Sequence, residues 1–145
     1  MGNMPIVRAV TLVRGRTDII DDKRRMVNDF VCSKDWAIIK EFIFENVSWI
    51  ELYSRDELKE IIWMAENGDI DVVVVYSLNC LGYDVIRAFD LINQLDSNRI
   101  NVWDATNNSV ITDQKGGIDN LINHHFASKI KLRIAKTKLF HIEEE

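Results

Sequence analysis

Arginine and cysteine side chains lie just after short apolar segments of this chain. Arg14 and Arg16 follow the first such segment, Cys80 follows a later one, and Arg55 lies between them. A guanidinium offers forked hydrogen bonds that match a phosphate or a carboxylate, so the arginines could form an anion pocket. Alternatively, Arg14 and Arg55 pair with carboxylates of the protein itself. The carboxylates nearest in sequence are Asp18, Glu51 and Asp56.

Cys80 could be proposed as a nucleophile. A nucleophilic thiol needs a neighbouring base, yet all three histidines lie far along the chain, at positions 124, 125 and 141. We therefore expect a buried or half-buried, unreactive thiol. The second cysteine, Cys32, is distant and has no metal-like spacing to Cys80, so we expect no disulfide, metal site or cofactor.

Short β-branched segments alternate with amphipathic helical patterns. The predicted strands are Val7–Arg14, Trp36–Phe44, Ile70–Tyr76, Ile100–Trp103 and a short Val110–Thr112. The predicted helices are Asp21–Asp35, a helix from the capping box Ser54–Glu57 to Asn67–Gly68, and Asp84–Leu95. This order predicts an α/β fold with a mostly parallel sheet flanked by helices. Ligands on such sheets bind beyond the carboxyl ends of the strands.

Composition indicates one domain that spans residues 1–145. The chain has 47% hydrophobic and 28% charged residues and a net charge of −5, which is ordinary for a globular protein and discourages general nucleic-acid binding. No signal peptide or membrane span is predicted, and we expect a cytoplasmic protein with no membrane partner.

The C-terminal segment is predicted to be a long helix over about residues 117–140, after Gly116 and Gly117. Its apolar stripe is too long for one small domain to cover, which favours self-association. The stripe consists of Ile118, Leu121, Ile122, Phe126, Ile130 and Ile134. A basic run occupies the distal half of the helix and is a solvated face or a weak, salt-dependent DNA contact. The basic residues are Lys129, Lys131, Arg133, Lys136 and Lys138.

The order of several motifs resembles the catalytic domain of the serine recombinases, the resolvase and invertase family. The family's Arg-x-Ser-Thr pattern reads Arg14-Gly15-Arg16-Thr17 here, and its Ser-Gly and Arg-Pro pairs read Ser48-Trp49 and Arg55-Asp56. Its glycine, Ile-Asp and valine run are matched by Gly68, Ile70-Asp71 and Val72–Val75, and its Asp-Arg-Leu-x-Arg signature by Asn79-Cys80-Leu81-Gly82-Tyr83. Thr112, Gly116 and Gly117 echo the segment that leads into the family's long helix.

The resemblance implies a three-layer resolvase-like fold without the family's chemistry. Arg16 stands at the position of the nucleophilic serine, and Asn79, Cys80 and Tyr83 replace the signature aspartate and two arginines. Arg14 and Arg55 match phosphate-binding arginines. Thr17 becomes a nucleophile only if the loop slips by one residue, and it would still lack two arginines. The scattered tryptophans Trp36, Trp63 and Trp103 are expected to pack in the core. Trp49, in place of a family glycine, is expected to pack in the core or fill the cleft, or else to dock on a partner.

The resemblance further implies how such a chain could act. In the family the long helix crosses its counterpart in a second subunit, so we expect a homodimer, a higher oligomer, or mixed oligomers with a related, active recombinase that regulate DNA recombination. The alternatives are a weak DNA-binding factor that uses the basic run and an active recombinase that uses Thr17. We expect no DNA-recognition domain after the long helix. A selected regulator and a decaying remnant of a mobile element both fit these residues.

Overall fold

The computed structural model describes residues 6–82 and 84–112. The strands are β1 (Arg8–Gly15), β2 (Ala37–Glu45), β3 (Val72–Val75), β4 (Asn101–Asp104) and β5 (Ser109–Val110). The helices are α1 (Thr17–Ser33), α2 (Trp49–Leu52), α3 (Asp56–Glu66) and α4 (Val85–Ser97), and a 3-10 turn spans Leu78–Leu81.

The five strands form one sheet in the order β2-β1-β3-β4-β5. The first three pairings are parallel, and only β5 runs antiparallel, against β4. The predicted α/β fold with a mostly parallel sheet is therefore confirmed. The order changes direction between β1 and β3, and at such a switch point the connecting loops diverge and leave a crevice.

The sheet separates two apolar layers, because side chains alternate between its faces. On one face α1 packs Val27 and Val31 against Ala9 and Val74. On the other face α3 and α4 cover the residues that point the opposite way. These include Val10, Leu12, Val73 and Val75 of the sheet with Ile61, Ile92 and Leu95 of the helices. The result is three layers, as expected.

Helix α1 begins at Thr17, four residues before the predicted start at Asp21. Arg16 is extended at the N-cap position but makes no side-chain cap. Instead, the Oδ1 atom of Asn46, which follows β2, accepts a hydrogen bond from the backbone N–H of Thr17 at 3.1 Å. The cap comes from a residue distant in sequence, so no local pattern indicated it.

The predicted capping box at Ser54–Glu57 is wrong. Helix α3 begins after Arg55 without a side-chain cap, and the Ser54 hydroxyl donates to the carbonyl oxygen of Glu51 at 2.7 Å. The capping serine is Ser48, whose Oγ accepts from the N–H of Glu51 at 3.2 Å. It begins the short helix α2, which the sequence reading missed. The predicted helix stop at Asn67–Gly68 is correct, since Gly68 has the left-handed φ of 71°.

Within the residues described, no helix is long and apolar enough to cross a membrane. The long helix predicted at about 117–140, with its apolar stripe and its basic run, lies outside the described residues, so it and the 1–145 domain assignment stay predictions.

Candidate functional site

A cleft opens at the carboxyl ends of β1 and β3, where the strand order changes direction. Its volume is about 470 Å³. One wall comes from the end of β1 and the first turns of α1, and the others come from the loops after β2 and β3. The lining residues are Arg14, Gly15, Arg16, Ile19, Lys23, Asn46, Val47, Ser48, Ser77, Asn79 and Cys80. The structure thus brings Arg14, Arg16, Asn79 and Cys80 together.

The guanidinium of Arg14 binds backbone carbonyls rather than a carboxylate. Its Nε donates to the oxygen of Cys80 at 2.7 Å, and its Nη2 donates to that of Asn79 at 3.3 Å. Its Nη1 donates to the oxygen of Val47 at 3.2 Å. The structure therefore contradicts the alternative that Arg14 pairs with a nearby carboxylate. The carbonyls come from two loops that β1 separates, which no sequence neighbour reveals.

Arg16 and Thr17 lie at the exposed rim of the cleft. The Arg16 side chain is 76% exposed and forms an ion pair with Asp18 at 3.4 Å. The Thr17 hydroxyl accepts a hydrogen bond from Nδ2 of Asn46 at 2.7 Å, and Thr17 is not among the lining residues. The rim therefore presents a cation at the position that follows β1.

Lys23 is a third cationic side chain of this cleft, besides Arg14 and Arg16. It was not predicted from the sequence. Its Nζ donates to the carbonyl oxygen of Arg14 at 3.2 Å and lies 5.2 Å from the centre of the Tyr76 ring. The available signal was helical spacing, because Arg16 and Lys23 lie two turns apart and share one face of α1 once that helix begins at Thr17. With Arg16, Lys23 gives the cleft a positive lining suited to an anion.

The thiol of Cys80 is buried, with 4% of the residue exposed. Burial raises its pKa to about 12, and this desolvation outweighs the opposing effect of the Arg14 charge. A raised thiol pKa leaves little thiolate, which is the reactive form. The burial agrees with the expectation from the sequence.

Asp104, at the end of β4, binds the 3-10 turn that carries Cys80. This carboxylate is 1% exposed and accepts a hydrogen bond from the N–H of Leu78 at 3.3 Å. It also accepts from the Thr106 hydroxyl at 2.7 Å and from the N–H of Asn107 at 3.2 Å. Asp104 thus positions the loop after β3 relative to β4.

Arg55 is not part of the cleft. It occupies the N-cap position of α3, and its Nε lies 3.5 Å from Oε2 of Glu57. Pairing with a carboxylate, the alternative interpretation for Arg55, is thus observed, although with a different partner from those expected. Tyr83 lies outside the described residues.

Trp49 packs against the backbone of Gly82. A Cβ atom placed on Gly82 would lie 2.3 Å from Cβ of Trp49, and Gly82 has a φ of 83°. Trp49 is half-buried and is not among the residues that line the cleft, so the expectation that it packs in the core or fills the cleft is not confirmed. The contact requires glycine at residue 82 for both space and backbone conformation.

A larger groove of about 670 Å³ lies between α3 and α4, away from the strand ends. Leu58, Ile62 and Leu91 contribute apolar surface, and charged side chains from both helices line it as well. Trp63, also at this groove, is 60% exposed. The expectation that this tryptophan packs in the core is wrong, because its helix turns that face outward.

Within the described part of the chain, no group of three or more His, Cys, Asp or Glu side chains could hold a metal ion. The cleft instead offers the cationic side chains of Arg14, Arg16 and Lys23, the hydroxyls of Ser48 and Ser77, and a buried thiol. Such a lining can attract an anion. No histidine is among the lining residues, and the Ser48 hydroxyl donates to Oε1 of Glu51 at 3.4 Å.

Known proteins resemble this chain in sequence and in fold. The sequence matches the family described as Resolvase, N terminal domain over residues 8–136. No curated protein sequence matches this chain.

Three solved structures resemble the fold. The N-terminal catalytic domain of TP901-1 integrase has 18% identity and a TM-score of 0.65, with 95% of this chain and 98% of that one covered. A resolvase family site-specific recombinase from Streptococcus pneumoniae has 12% identity and a TM-score of 0.69, with 96% and 99% covered. The C-terminal catalytic domain of ISC1926 TnpA, an IS607-like serine recombinase, has 17% identity and a TM-score of 0.52, with 96% and 100% covered.

At these identities the structural likeness speaks for the fold, and it agrees with the family match, which covers most of the chain. On that match, this chain belongs to the Resolvase, N terminal domain family.

Proposed function

We propose that this chain is a catalytically inactive serine recombinase domain that acts by association with other recombinase subunits. The observation that carries the proposal is Arg16. It stands at the nucleophile position implied by the motif Arg14-Gly15-Arg16-Thr17, and its side chain is exposed and paired with Asp18. A guanidinium supplies no hydroxyl for attack on a phosphate.

The remaining cleft residues support the same conclusion. Cys80, at one of the expected arginine positions, is buried and carries no charge as a thiol. Arg14 retains its guanidinium, but three carbonyl oxygens already accept hydrogen bonds from it. An arginine on a transferring phosphoryl group contributes roughly 10³ to 10⁵ in rate. The absence of an arginine at position 80 would therefore by itself suppress strand cleavage.

A covalent adduct assay tests the inactivity. The purified chain is incubated with a pool of double-stranded DNA, and covalent protein–DNA species are sought on a denaturing gel. We expect none, both for the wild-type chain and for Arg16→Ser. An adduct on the wild-type chain, mapped by peptide sequencing to Thr17, Ser48 or Ser77, would contradict the proposal.

Association is tested in two steps. Light scattering across a dilution series gives the mass of the chain alone, and we expect a dimer or a larger oligomer. The chain is then titrated into a strand-exchange reaction of an active serine recombinase from the same cell. We expect mixed oligomers and a dose-dependent change in recombination, whereas a monomer with no effect at excess would exclude this role.

Weak DNA binding through the basic run at residues 129–138 is the second candidate, and it rests on sequence alone. Gel retardation at about 50 mM and about 200 mM salt separates the two candidates, because a contact built on phosphate neutralisation weakens by orders of magnitude over that range. Association through an apolar stripe persists at the higher salt.

A further inference from the structure

Side chains from elsewhere in the fold bind three successive carbonyl groups of the loop after β3. The oxygens of Asn79 and Cys80 accept from Arg14, and the oxygen of Leu81 accepts from the Tyr53 hydroxyl at 2.6 Å. A four-residue 3-10 turn has few hydrogen bonds of its own. Its position therefore depends on these external donors together with Asp104, which accepts from the N–H of Leu78.

The segment after β2 takes part in the same contacts. Arg14 also donates to the oxygen of Val47, and Tyr53 follows directly on helix α2. Trp49, the first residue of α2, lies against Gly82 so closely that no Cβ fits between them. Three separate contacts thus join residues 47–53 to residues 79–82. From these two segments, the residues that line the cleft are Val47, Ser48, Asn79 and Cys80.

One hydrogen-bonding edge of Arg14 is filled by these contacts. The Nε and Nη2 atoms lie on the same edge of a guanidinium and together form a fork that can grip two oxygens of an anion. Here that fork holds the oxygens of Cys80 and Asn79. An anion that binds this edge of Arg14 must displace the oxygens of Cys80 and Asn79, which would then be left without their donor.

We propose that Arg14, Trp49 and Tyr53 form a lock that fastens the loop after β2 to the 3-10 turn. The loop after β2 and the 3-10 turn then move only together. Nε and Nη2 of Arg14 stay bonded to protein carbonyls instead of to an anion. This device goes beyond the proposed function because it concerns motion of the cleft walls, whatever the chain binds.

Hydrogen exchange of the full chain, followed by mass spectrometry, tests the lock. Tyr53→Phe removes one hydrogen bond and keeps the ring. We expect amides in both segments, 46–53 and 77–82, to exchange about three- to tenfold faster, as loss of one buried hydrogen bond predicts. Arg14→Lys, which keeps the charge but cannot bridge three carbonyls, is expected to act in the same two segments.

Arg16→Ala is the matched control. It removes an arginine two residues from Arg14 whose one described partner is Asp18, and it should leave both segments unchanged. Amides of β1 serve as an internal reference that the variants remain folded. Faster exchange confined to one segment, or none at all in Tyr53→Phe, would overturn the lock.

Inorganic phosphate provides the second arm. The rim cation Arg16 could also hold phosphate, so this arm uses Arg16→Ala. If the Arg14 fork stays on the protein, phosphate added to this variant leaves exchange in both segments unchanged. Protection of these segments by phosphate in Arg16→Ala would show that the fork is released to an anion and would overturn that part of the proposal. Neither result depends on strand cleavage or oligomer formation, so failure of the proposed function is distinguishable.

Discussion

Arg24 of α1 and Glu41 of β2 form a two-point ion pair, with Nε–Oε1 and Nη2–Oε2 distances of 2.9 Å each. Nδ2 of Asn28 adds a third hydrogen bond to Oε1 of Glu41 at 3.2 Å. This pair joins α1 to the edge strand of the sheet. The hydrogen bond from Arg24 lowers the pKa of Glu41, against a smaller opposing effect of burial.

Glu41→Gln is expected to reduce stability at neutral pH and to flatten its dependence on acidic pH. The folded-state pKa of Glu41 is lowered, so its stabilisation is complete above the ordinary glutamate pKa and is lost as the pH falls through the folded value. The difference in unfolding free energy between wild type and variant should shrink as the pH falls below the ordinary glutamate pKa. Urea titrations at several pH values measure it. A pH-independent difference would contradict this account, and Glu45→Gln, at the exposed end of the same strand, is the control.

The two cysteines should differ sharply in their rate of alkylation. Cys32 is exposed and Cys80 is buried. With a pKa of about 12, the Cys80 thiolate fraction at pH 8 is about one part in ten thousand. Iodoacetamide should therefore label Cys32 alone in the native chain and both residues in urea, as read by peptide mass. Equal native labelling would show that the loop after β3 opens readily.

Cys80→Arg tests whether the family's arginine can be restored in this fold. The side chain would carry a charge into a site that is 4% exposed, where an uncompensated ion costs about 3 kcal/mol or more. We expect at least that loss in the free energy of unfolding, measured by urea titration. Cys80→Ala, which adds no charge, should lose about 1 kcal/mol. A stable arginine variant would mean that the loop after β3 rearranges to expose this position.

Asp104→Asn should destabilise the chain by about 1–3 kcal/mol, because an amide nitrogen would face donors that now bind a carboxylate oxygen. The affected donors are the backbone N–H groups of Leu78 and Asn107, the hydroxyl of Thr106 and the side-chain amide of Asn107. Thermal unfolding measures the loss, with the exposed Asp69→Asn as control. If the two variants proved equally stable, Asp104 would not be what anchors the 3-10 turn.

Ile61 and Trp63 lie two residues apart on α3, and their truncation should destabilise the chain to very different degrees. Ile61 is fully buried and Trp63 is 60% exposed. Ile61→Ala is expected to cost about 2–5 kcal/mol through lost burial and the cavity left behind, whereas Trp63→Ala should cost about 1 kcal/mol or less. Urea titration of both variants checks the order. A large loss at Trp63 alone would mean that the groove between α3 and α4 is covered in solution.

The sequence by itself determined the strands, the three longer helices and their order. The β-branched run Val72–Val75 forms a fully buried strand, and the apolar spacing of Leu58, Ile61 and Ala65 forms the inner face of α3. Such patterns are local, since a strand or helix needs only the right period of apolar residues to bury one face. The same logic placed the cleft beyond the carboxyl ends of β1 and β3.

Only the tertiary structure decided which partners the side chains meet. Arg14 binds carbonyls 33 and 66 residues away in sequence, and the start of α1 depends on Asn46 from the loop after β2. The cap of α2 at Ser48 had a local signal, but a second Ser-x-x-Glu pattern at Ser54 competed with it. The choice between partners depends on which loops the strand order brings together, and that order is a property of the whole sheet rather than of any segment.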